Sequence, residues 1–412
     1  MYFRRVLSAI ILISVSLIYY SCDTITNPTS AVSGKVYTYN YLAISNVKVT
    51  IRDQVALTSE DGSFNFKNIT SPYDLIVLDS LERNVTVYKE LSAESILLPL
   101  QYYASNNGYA FIIVTIPKEI IDSNIVGKVI FTDGNFVNSY SDIHQNDTVI
   151  GVEMYINESV TGKLIVLTYK RDNEGKIISY ENYGESPDIQ IEPGGNYNYQ
   201  FDTPDLSLNP GEQSVTGYLQ IPPGSSSSSS FKITFSSKKT YYAYSGFSSI
   251  GLNYFNFLIP AGLPRQFNTI VESSSYGGML GYSTEDFITY PNEPNNLQVK
   301  LAPSIISPDD QIKNVNNNTQ FSFNSGTGNG IYIISLRNTS RDFHYKIVTS
   351  NLNFTLEGLE DLGLGRINNN YFYWSVQKIG PANSMNDYVT NFFNEPSHFN
   401  SESDSRFFST EP

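Results

Sequence analysis

The side chains that most often carry out catalysis or bind metal ions are scarce in this sequence. Its 412 residues include three His, one Cys and one Trp. His144, His344 and His398 lie far apart, and none belongs to a G-x-S-x-G, H-E-x-x-H or C-x-x-C motif. We therefore expect neither a hydrolase triad nor a metal centre built on His.

Acidic residues are concentrated in two short segments, Asp309-Asp310 and 357–361. Paired carboxylates can cleave glycosides, but both segments flank predicted turns, where acidic side chains are usually solvated. The oxygens of 172–175 and of Asp309-Asp310 would also suit a calcium ion, although neither segment matches the EF-hand loop. We predict no catalytic residue, no bound metal and no cofactor.

The charge balance argues against nucleic acid as a partner. Lys and Arg number 26 against 40 Asp and Glu, so the formal net charge is −14. A strongly acidic chain repels phosphate backbones. Charged residues make up 16% of the chain and aromatic residues 14%. This composition is unlike that of a disordered chain or a helical bundle.

Adjacent aromatic residues are the one feature that could indicate ligand binding. They occur at Tyr102-Tyr103, at 241–244 and at 371–374. Successive side chains of a strand point to opposite faces, so one ring of each pair faces away from its own core. Tyr241, Tyr242 and Tyr244 are the predicted ligand contacts. The alternatives are packing within or between domains, contact with a glycan, and contact with a protein.

The N-terminus has the pattern of an export signal. Arg4 and Arg5 precede an uncharged segment over 6–20, which ends at Ser21-Cys22. That segment is shorter than the roughly 20 residues of a membrane-spanning helix, which favours a cleaved signal over an uncleaved anchor. Because Cys22 is the only Cys, a disulfide within the chain is excluded.

Residues 17–22, Leu-Ile-Tyr-Tyr-Ser-Cys, resemble the lipobox of bacterial lipoproteins. The resemblance implies that the Cys22 thiol is acylated and that Cys22 becomes the first residue of the mature protein. Tyr19 differs from the Leu that is usual there, and a free Cys after an ordinary signal peptide is the alternative. In enterobacterial lipoproteins an Asp after the Cys, as at Asp23, resembles a signal for retention in the inner membrane. The composition of this chain resembles that of Bacteroidetes lipoproteins, in which an Asp at this position does not have that meaning. We expect the outer membrane, facing either the surface or the periplasm.

From Val32 onward, short alternating strands with turn residues between them predict antiparallel sheets. Residues 34–78, which include GKVYT, NVKVTI and the predicted hairpin EDGSFNF, resemble the carboxypeptidase regulatory-like domain, a transthyretin-type sandwich. The resemblance implies a spacer module over 32–105 without a catalytic residue. Phe64 and Phe66 are expected in its core.

Two further β-sandwiches of unknown type are predicted over 106–210 and 211–300. The six consecutive Ser at 225–230 indicate a flexible loop or the tip of a hairpin. Residues 189–201 and 255–267 share an order of strand, Pro, Gly and aromatic residue, but two occurrences do not establish a repeat.

Residues 301–412 resemble fibronectin type III or immunoglobulin-like modules. The resemblance rests on IISPD at 305–309, YFYWSV at 371–376 and SDSRFFST at 403–410. The place of the early Trp of such modules is taken by Phe321 or Phe323.

The sequence thus predicts an all-β chain of tandem antiparallel β-sandwich domains after a cleaved lipoprotein signal peptide (1–21) and a tether (22–31). The predicted function is that of a non-catalytic cell-envelope lipoprotein, a multi-domain rod that acts as an adhesion or scaffold protein. An accessory carbohydrate-binding outer-membrane lipoprotein is the alternative, and a divergent hydrolase is a third hypothesis. The expected partners are the membrane, through the lipid, and a glycan or envelope protein.

Overall fold

The structure is a computed structural model. It describes residues 29–38, 43–79, 83–100, 108–121, 125–134, 138–143, 145–154, 159–221, 223, 226–234, 244–245, 249–250, 254–264, 267–276, 281–291, 293–340, 343–359, 362, 369–391 and 398–411. The predicted signal peptide and most of the tether lie outside these residues.

The fold is all-β, and its strands follow one another in four groups, which we call units 1 to 4. Unit 1 contains β1 (Thr29–Thr38), β2 (Lys48–Ile51), β3 (Gln54–Leu57), β4 (Ser63–Thr70), β5 (Tyr73–Asp79), β6 (Asn84–Leu91) and β7 (Ser95–Leu100). Unit 2 contains β8 (Tyr109–Thr115), β9 (Ile125–Thr132), β10 (Asn138–Ile143), β11 (Asp147–Glu153), β12 (Val160–Arg171), β13 (Ile177–Glu185), β14 (Ile189–Ile191) and β15 (Asn196–Gln200), with 3-10 turns at Lys118–Ile120 and Thr203–Leu206.

Units 3 and 4 complete the described chain. Unit 3 contains β16 (Glu212–Gln220), β17 (Ser226–Thr234), β18 (Tyr244–Ser245), β19 (Ser249–Ile250), β20 (Tyr254–Pro260), β21 (Asn268–Tyr276), β22 (Tyr282–Ile288) and β23 (Asn295–Gln298). Unit 4 contains β24 (Ile305–Ser307), β25 (Ile312–Val315), β26 (Phe321–Phe323), β27 (Ile331–Asn338), β28 (His344–Thr349), β29 (Asn353–Phe354), β30 (Tyr371–Gly380), helix α1 (Met385–Asn391), β31 (His398–Glu402) and β32 (Arg406–Thr410).

Units 1, 2 and 3 have the same topology. In each, the first strand lies at the centre of a three-stranded sheet, in the orders β4-β1-β7, β11-β8-β15 and β20-β16-β23. This first strand pairs antiparallel with one neighbour and parallel with the last strand of its unit. The facing sheets have the equivalent orders β3-β2-β5-β6, β10-β9-β12-β13 and β18-β17-β21-β22. The chain therefore contains a threefold structural repeat.

The sequence similarity between 189–201 and 255–267 does not correspond to this repeat. The first segment contains β15, the last strand of unit 2, whereas the second contains β20, an antiparallel neighbour of the first strand of unit 3. The two segments hold different places in the topology. The repeat is one of strand order and direction, which the sequence does not display.

The alternating pattern of unit 1 builds its core as predicted. Phe64 and Phe66 of β4 are buried, and both rings contribute to one hydrophobic cluster. The predicted turn at Asp61-Gly62 is present, with Gly62 at a positive φ of 74°. It does not close a hairpin, however, because β3 pairs with β2 while β4 pairs with β1 in the facing sheet. The turn is an arch between two sheets.

The run of serines is also different from its prediction. Ser226–Thr234 is the strand β17, which pairs antiparallel with β21 from Ser226↔Tyr276 to Thr234↔Asn268. Five Ser of the run therefore lie in a sheet rather than in a loop or at a hairpin tip. A small residue with a hydroxyl group is compatible with the extended backbone when both neighbouring strands supply hydrogen bonds.

Unit 4 packs around the single Trp of the chain. Trp374 is buried, and the Phe321 ring lies edge-on to it with a centroid distance of 5.1 Å. Phe354 and Phe408 complete an aromatic cluster around Phe321. The aromatic strand β30 thus supplies the centre of this core.

The edges of units 1 and 3 are closed by unit 4. Strand β6 pairs in parallel with β28, from Asn84↔His344 to Tyr88↔Val348, and β22 pairs antiparallel with β31. Among the described residues these pairings join three units into one sheet of 15 strands. Unit 4 therefore returns to unit 1, although units 2 and 3 separate the two in sequence.

Side chains reinforce the joint between units 1 and 4. Helix α1 covers unit 1, where the Asn386 side chain accepts hydrogen bonds from the backbone N–H groups of Ser92 and Ala93 at 2.8 and 3.1 Å. At the joint between units 3 and 4, Ser283 and Ser401 face each other across β22 and β31. Both are buried, and neither hydroxyl has a hydrogen-bond partner in the described part of the chain.

No helix in the described ranges is long and apolar enough to cross a membrane.

Candidate functional site

The predicted ligand-binding tyrosines and the predicted lipidation site are not tested by the structure. Cys22, Tyr241 and Tyr242 lie outside the described residues. The backbone of Tyr244 pairs with Ile233 in the sheet of unit 3, but its side chain is not described. These assignments stay predictions, as do those that concern Tyr102-Tyr103.

The third aromatic segment alternates as predicted. Phe372 and Trp374 are buried in the core of unit 4, whereas Tyr371 and Tyr373 are 56% and 50% exposed on the other face of β30. The neighbouring strand β32 places Phe407 opposite Tyr373. The Phe407 ring is stacked with Tyr371 at a centroid distance of 5.8 Å and tilted against Tyr373 at 5.3 Å. Three adjacent rings therefore form an aromatic strip on the protein surface.

A polar cavity of about 480 Å³ adjoins this strip. It lies where β27 and β30 run side by side and is bordered by the end of β31. Its lining comprises Ser335, Arg337, Asn338, Thr339, Tyr373, Trp374, Ser375, Glu402 and Ser405. Strand register explains this arrangement, because Arg337 pairs with Tyr373, and Ser335 with Ser375. We call it the unit 4 cavity.

The unit 4 cavity offers hydrogen-bond donors and acceptors, among them one positively charged and one negatively charged side chain. The Ser375 hydroxyl donates to Glu402 Oε1 at 2.9 Å, which orients the carboxylate. The exposed Arg337 supplies a guanidinium with its fork of N–H donors. Together with the Tyr373 ring, these groups are suited to hold a small polar ligand or a polar group on a larger partner.

His344 lies next to the unit 4 cavity but is a poor proton acceptor. It pairs with Arg337 across β27 and β28, and its Nε2 is buried with no hydrogen-bond partner in the described ranges. Burial, and then the charges of Lys346 and Arg337, lower the pKa of His344 to about 3. The ring is therefore neutral near pH 7. Burial also lowers the pKa of Lys346 to about 8.

Two of the three acidic segments singled out in the sequence have structural partners, whereas residues 360 and 361 of the segment 357–361 lie outside the described residues. Asp172 Oδ1 accepts hydrogen bonds from the backbone N–H groups of Glu174 and Lys176, and Asp310 Oδ1 accepts one from the Phe407 N–H. Each carboxylate holds a turn or a strand end. Within the described ranges no group of three or more His, Cys, Asp or Glu is placed to hold a metal ion.

Sequence reasoning missed two further aromatic surfaces. Tyr109 and Phe111 lie exposed on β8, and Tyr218 and Tyr254 lie exposed on β16 and β20. In 109–116 the residues of both faces are largely apolar, so the pattern could not assign the outer face. For Tyr109 and Phe111, the available signal is the spacing of two residues within one strand, whereas Tyr218 and Tyr254 come together only through the pairing of β16 with β20.

No family model and no curated protein matches the chain. Solved structures to which it is similar include the Bacillus anthracis TIE protein (12% identity, 66% of this chain and 50% of that chain, TM-score 0.17). Others are the Streptococcal ancillary pilin (9%, 65% and 89%, 0.18) and a tetra-tandem repeat in the extending region of a large adhesion protein (10%, 93% and 100%, 0.15). The chain spans half the length of the TIE protein chain. TM-scores this low carry no argument about function.

Proposed function

We propose that the protein is a non-catalytic lipoprotein of the cell envelope that presents binding surfaces on a scaffold of repeated β-sandwiches. The single observation that carries the binding role is the unit 4 cavity, in which Arg337, Glu402 and the exposed Tyr373 ring meet. A guanidinium, an oriented carboxylate and an aromatic ring are groups that recognise ligands. His344 beside them, whose Nε2 is buried and whose ring is neutral near pH 7, is poorly suited to act as a base.

The proposed anchor is a lipid on Cys22, with the outer membrane as its location. The support comes from the sequence, in which a basic start, an uncharged segment and Ser21-Cys22 follow in the order of an exported lipoprotein. Several acyl chains would give lasting attachment, since each buried methylene contributes about 0.8 kcal/mol.

The anchor is tested by separating membranes from soluble fractions of cells that carry the full chain or Cys22→Ala. We expect the wild type and the matched control Thr24→Ala in the membrane fraction and Cys22→Ala unprocessed or released. Protease added to intact cells then separates the two orientations, because only a protein that faces outward is digested before the outer membrane is opened. Membrane retention of Cys22→Ala equal to that of the wild type would refute the lipid anchor.

The binding role is tested with Arg337→Ala and Tyr373→Ala. Both side chains border the unit 4 cavity from the solvent side, so we expect both variants to fold normally. When each protein is immobilised and exposed to an envelope extract, we expect the variants to lose the components that the wild type binds. The matched control is Tyr290→Ala, which removes another exposed ring. Equal retention by all three variants would exclude this cavity as the binding surface.

A further inference from the structure

Two aromatic surfaces occupy the same place in the repeated topology. The first is centred on β8, the first strand of unit 2, and the second on β16, the first strand of unit 3. Both lie on the solvent side of the three-stranded sheet, opposite the sandwich core. We call them the unit 2 face and the unit 3 face.

On the unit 2 face, Tyr109, Phe111 and Ile113 are 45%, 44% and 41% exposed along one side of β8. The rings of Tyr109 and Phe111 are 6.1 Å apart and nearly parallel, with an angle of 27°. Gly151 lies opposite Phe111 in β11. A side chain at Gly151 would approach Phe111 Cε1 to 3.5 Å and Tyr109 Cδ1 to 4.0 Å. Both distances are ordinary van der Waals contacts, so the two rings lie over position 151 and form a platform that a side chain larger than Ala would crowd.

Amide side chains border this platform. The parallel neighbour β15 places Asn196 beside Phe111 and Asn198 beside Ile113. Both side chains are exposed, and neither has a hydrogen-bond partner in the part of the chain that the structure describes. Each amide offers two donors and a carbonyl acceptor to an incoming ligand.

The unit 3 face repeats this chemistry with different residues. Tyr218 and Tyr254 lie directly opposite each other on β16 and β20, 55% and 45% exposed, with ring centroids 5.2 Å apart. The parallel neighbour β23 places Asn296 beside Tyr218. Asn256 lies beside Thr216 on the same side of the sheet. Again an aromatic pair is bordered by amides, here one from the last strand of the unit and one, Asn256, whose oxygen already accepts a hydrogen bond from the Ser214 hydroxyl.

The charges on the two faces restrict the ligand class. The strand positions on the solvent side of both sheets hold no Lys or Arg, whereas Asp147, Glu153 and Glu212 lie at their margins. With a net charge of −14 on the chain, an anionic polymer would be repelled. The ligand that fits is uncharged, has an apolar surface for the rings, and has hydroxyl groups for the amides.

From these observations we infer that the two faces bind one class of ligand, a neutral polysaccharide. Pyranose rings combine an apolar face of C–H bonds with a rim of hydroxyl groups, which matches the rings and amides described above. A ligand made of repeating sugars also accounts for the recurrence of the same chemistry in two successive units, since one polymer gains affinity by engaging both. This inference deepens the proposed binding role and rests on it, but it uses surfaces distinct from the unit 4 cavity.

The test measures retention of the purified protein on gels that contain one of four neutral polysaccharides (a β-glucan, starch, mannan or xylan), with polygalacturonate as an acidic control. We expect retention by at least one neutral polymer and none by the acidic one. Tyr109→Ala with Phe111→Ala, and Tyr218→Ala with Tyr254→Ala, should each weaken retention about tenfold, which corresponds to about 1.4 kcal/mol. The four-residue variant should lose it.

Gly151→Val provides the sharper test, because it keeps both rings while the two Cγ methyl groups of Val extend beyond a Cβ already in van der Waals contact with Phe111 and crowd the platform. Loss of retention in this variant is expected for a sugar platform, whereas a merely sticky apolar surface would retain as much as before or more. Tyr290→Ala is the control, and circular dichroism verifies that each variant folds.

Failure of all four neutral polymers to retain the wild type, or unchanged retention in Gly151→Val, would overturn the inference. So would equal retention by polygalacturonate. The proposed function fails on a different result, namely unchanged membrane retention in Cys22→Ala or unchanged binding in the variants of the unit 4 cavity. The two proposals can therefore be refuted separately.

Discussion

Glu285 is predicted to make the joint between units 3 and 4 sensitive to pH. It lies in β22, is 3% exposed, and pairs with Ser273 of β21 on one side and Phe399 of β31 on the other. Its Oε1 accepts a hydrogen bond from the backbone N–H of Lys300. Burial raises the pKa of this carboxyl from 4.5 to about 7, against the smaller opposing effects of the Lys300 charge and N–H.

The sign of the effect follows from the direction of the pKa change. The folded protein holds the proton more tightly than the unfolded chain does, so the contribution of Glu285 to stability is complete below pH 4.5 and is lost as the pH rises through 7. At about 1.4 kcal/mol per pH unit, the loss amounts to about 3 kcal/mol at pH 8. Glu285→Gln keeps an oxygen acceptor for Lys300 but cannot ionise. It should therefore unfold like the wild type at pH 4 and be more stable by about 3 kcal/mol at pH 8.

Urea denaturation at several pH values is the assay. Trp374, the single Trp, reports the unfolding of unit 4 through its fluorescence. Glu357→Gln, which replaces an exposed carboxylate of unit 4, serves as the control and should keep the pH dependence of the wild type. If Glu285→Gln loses stability between pH 4.5 and 7 as steeply as the wild type does, the carboxyl is not the group that titrates, and the reasoning is refuted.

Three further predictions concern buried positions. Gly34→Ala should destabilise unit 1 by about 1–3 kcal/mol in urea denaturation, because the new Cβ would lie 2.5 Å from Phe64 Cζ. The control Gly262→Ala should have little effect, because its Cβ would meet only the Pro210 carbonyl oxygen, at 3.5 Å. Because the pKa of His344 is lowered to about 3, the unfolded chain binds a proton at this residue before the folded chain does as the pH falls below 6.5. The wild type should therefore lose about 2 kcal/mol of its free energy of unfolding between pH 7 and pH 5 through this residue, and His344→Gln should abolish that loss. A pH profile of stability unchanged in His344→Gln would contradict this. Ser401→Ala removes a buried hydroxyl without a described partner and should raise the urea midpoint, so a lowered midpoint would show that the hydroxyl is hydrogen-bonded.

The parts of the fold that depend on local alternation were predictable from the sequence. Phe64 and Phe66 face the core, and Tyr371 and Tyr373 face away from Phe372 and Trp374, because side chains alternate along a strand wherever it lies. The all-β class follows from the same pattern. The order of strands within each sheet does not, since β3 and β4 are adjacent in sequence and still belong to opposite sheets.

The candidate site was predictable only in part, for a related reason. The aromatic segment of β30 was identified, but Arg337 and Glu402 reach it from strands that are far away in sequence. The rings of the platform on β8 lie over Gly151 of a different strand, and a glycine in an alternating segment does not by itself indicate which rings lie next to it. Pairings such as β6 with β28 join residues about 260 positions apart, and nothing in either segment specifies the other.

The return of unit 4 to unit 1 determines how the molecule would carry mechanical load. A pull applied between these two units acts on the parallel pairing of β6 with β28 and on the contacts of helix α1, because these connect the two units directly. Units 2 and 3 lie between these two units in the chain and carry little of the load until that joint breaks. Once it breaks, units 2 and 3 would come under load and units 1 and 4 could move further apart, so the joint limits the extension of the molecule.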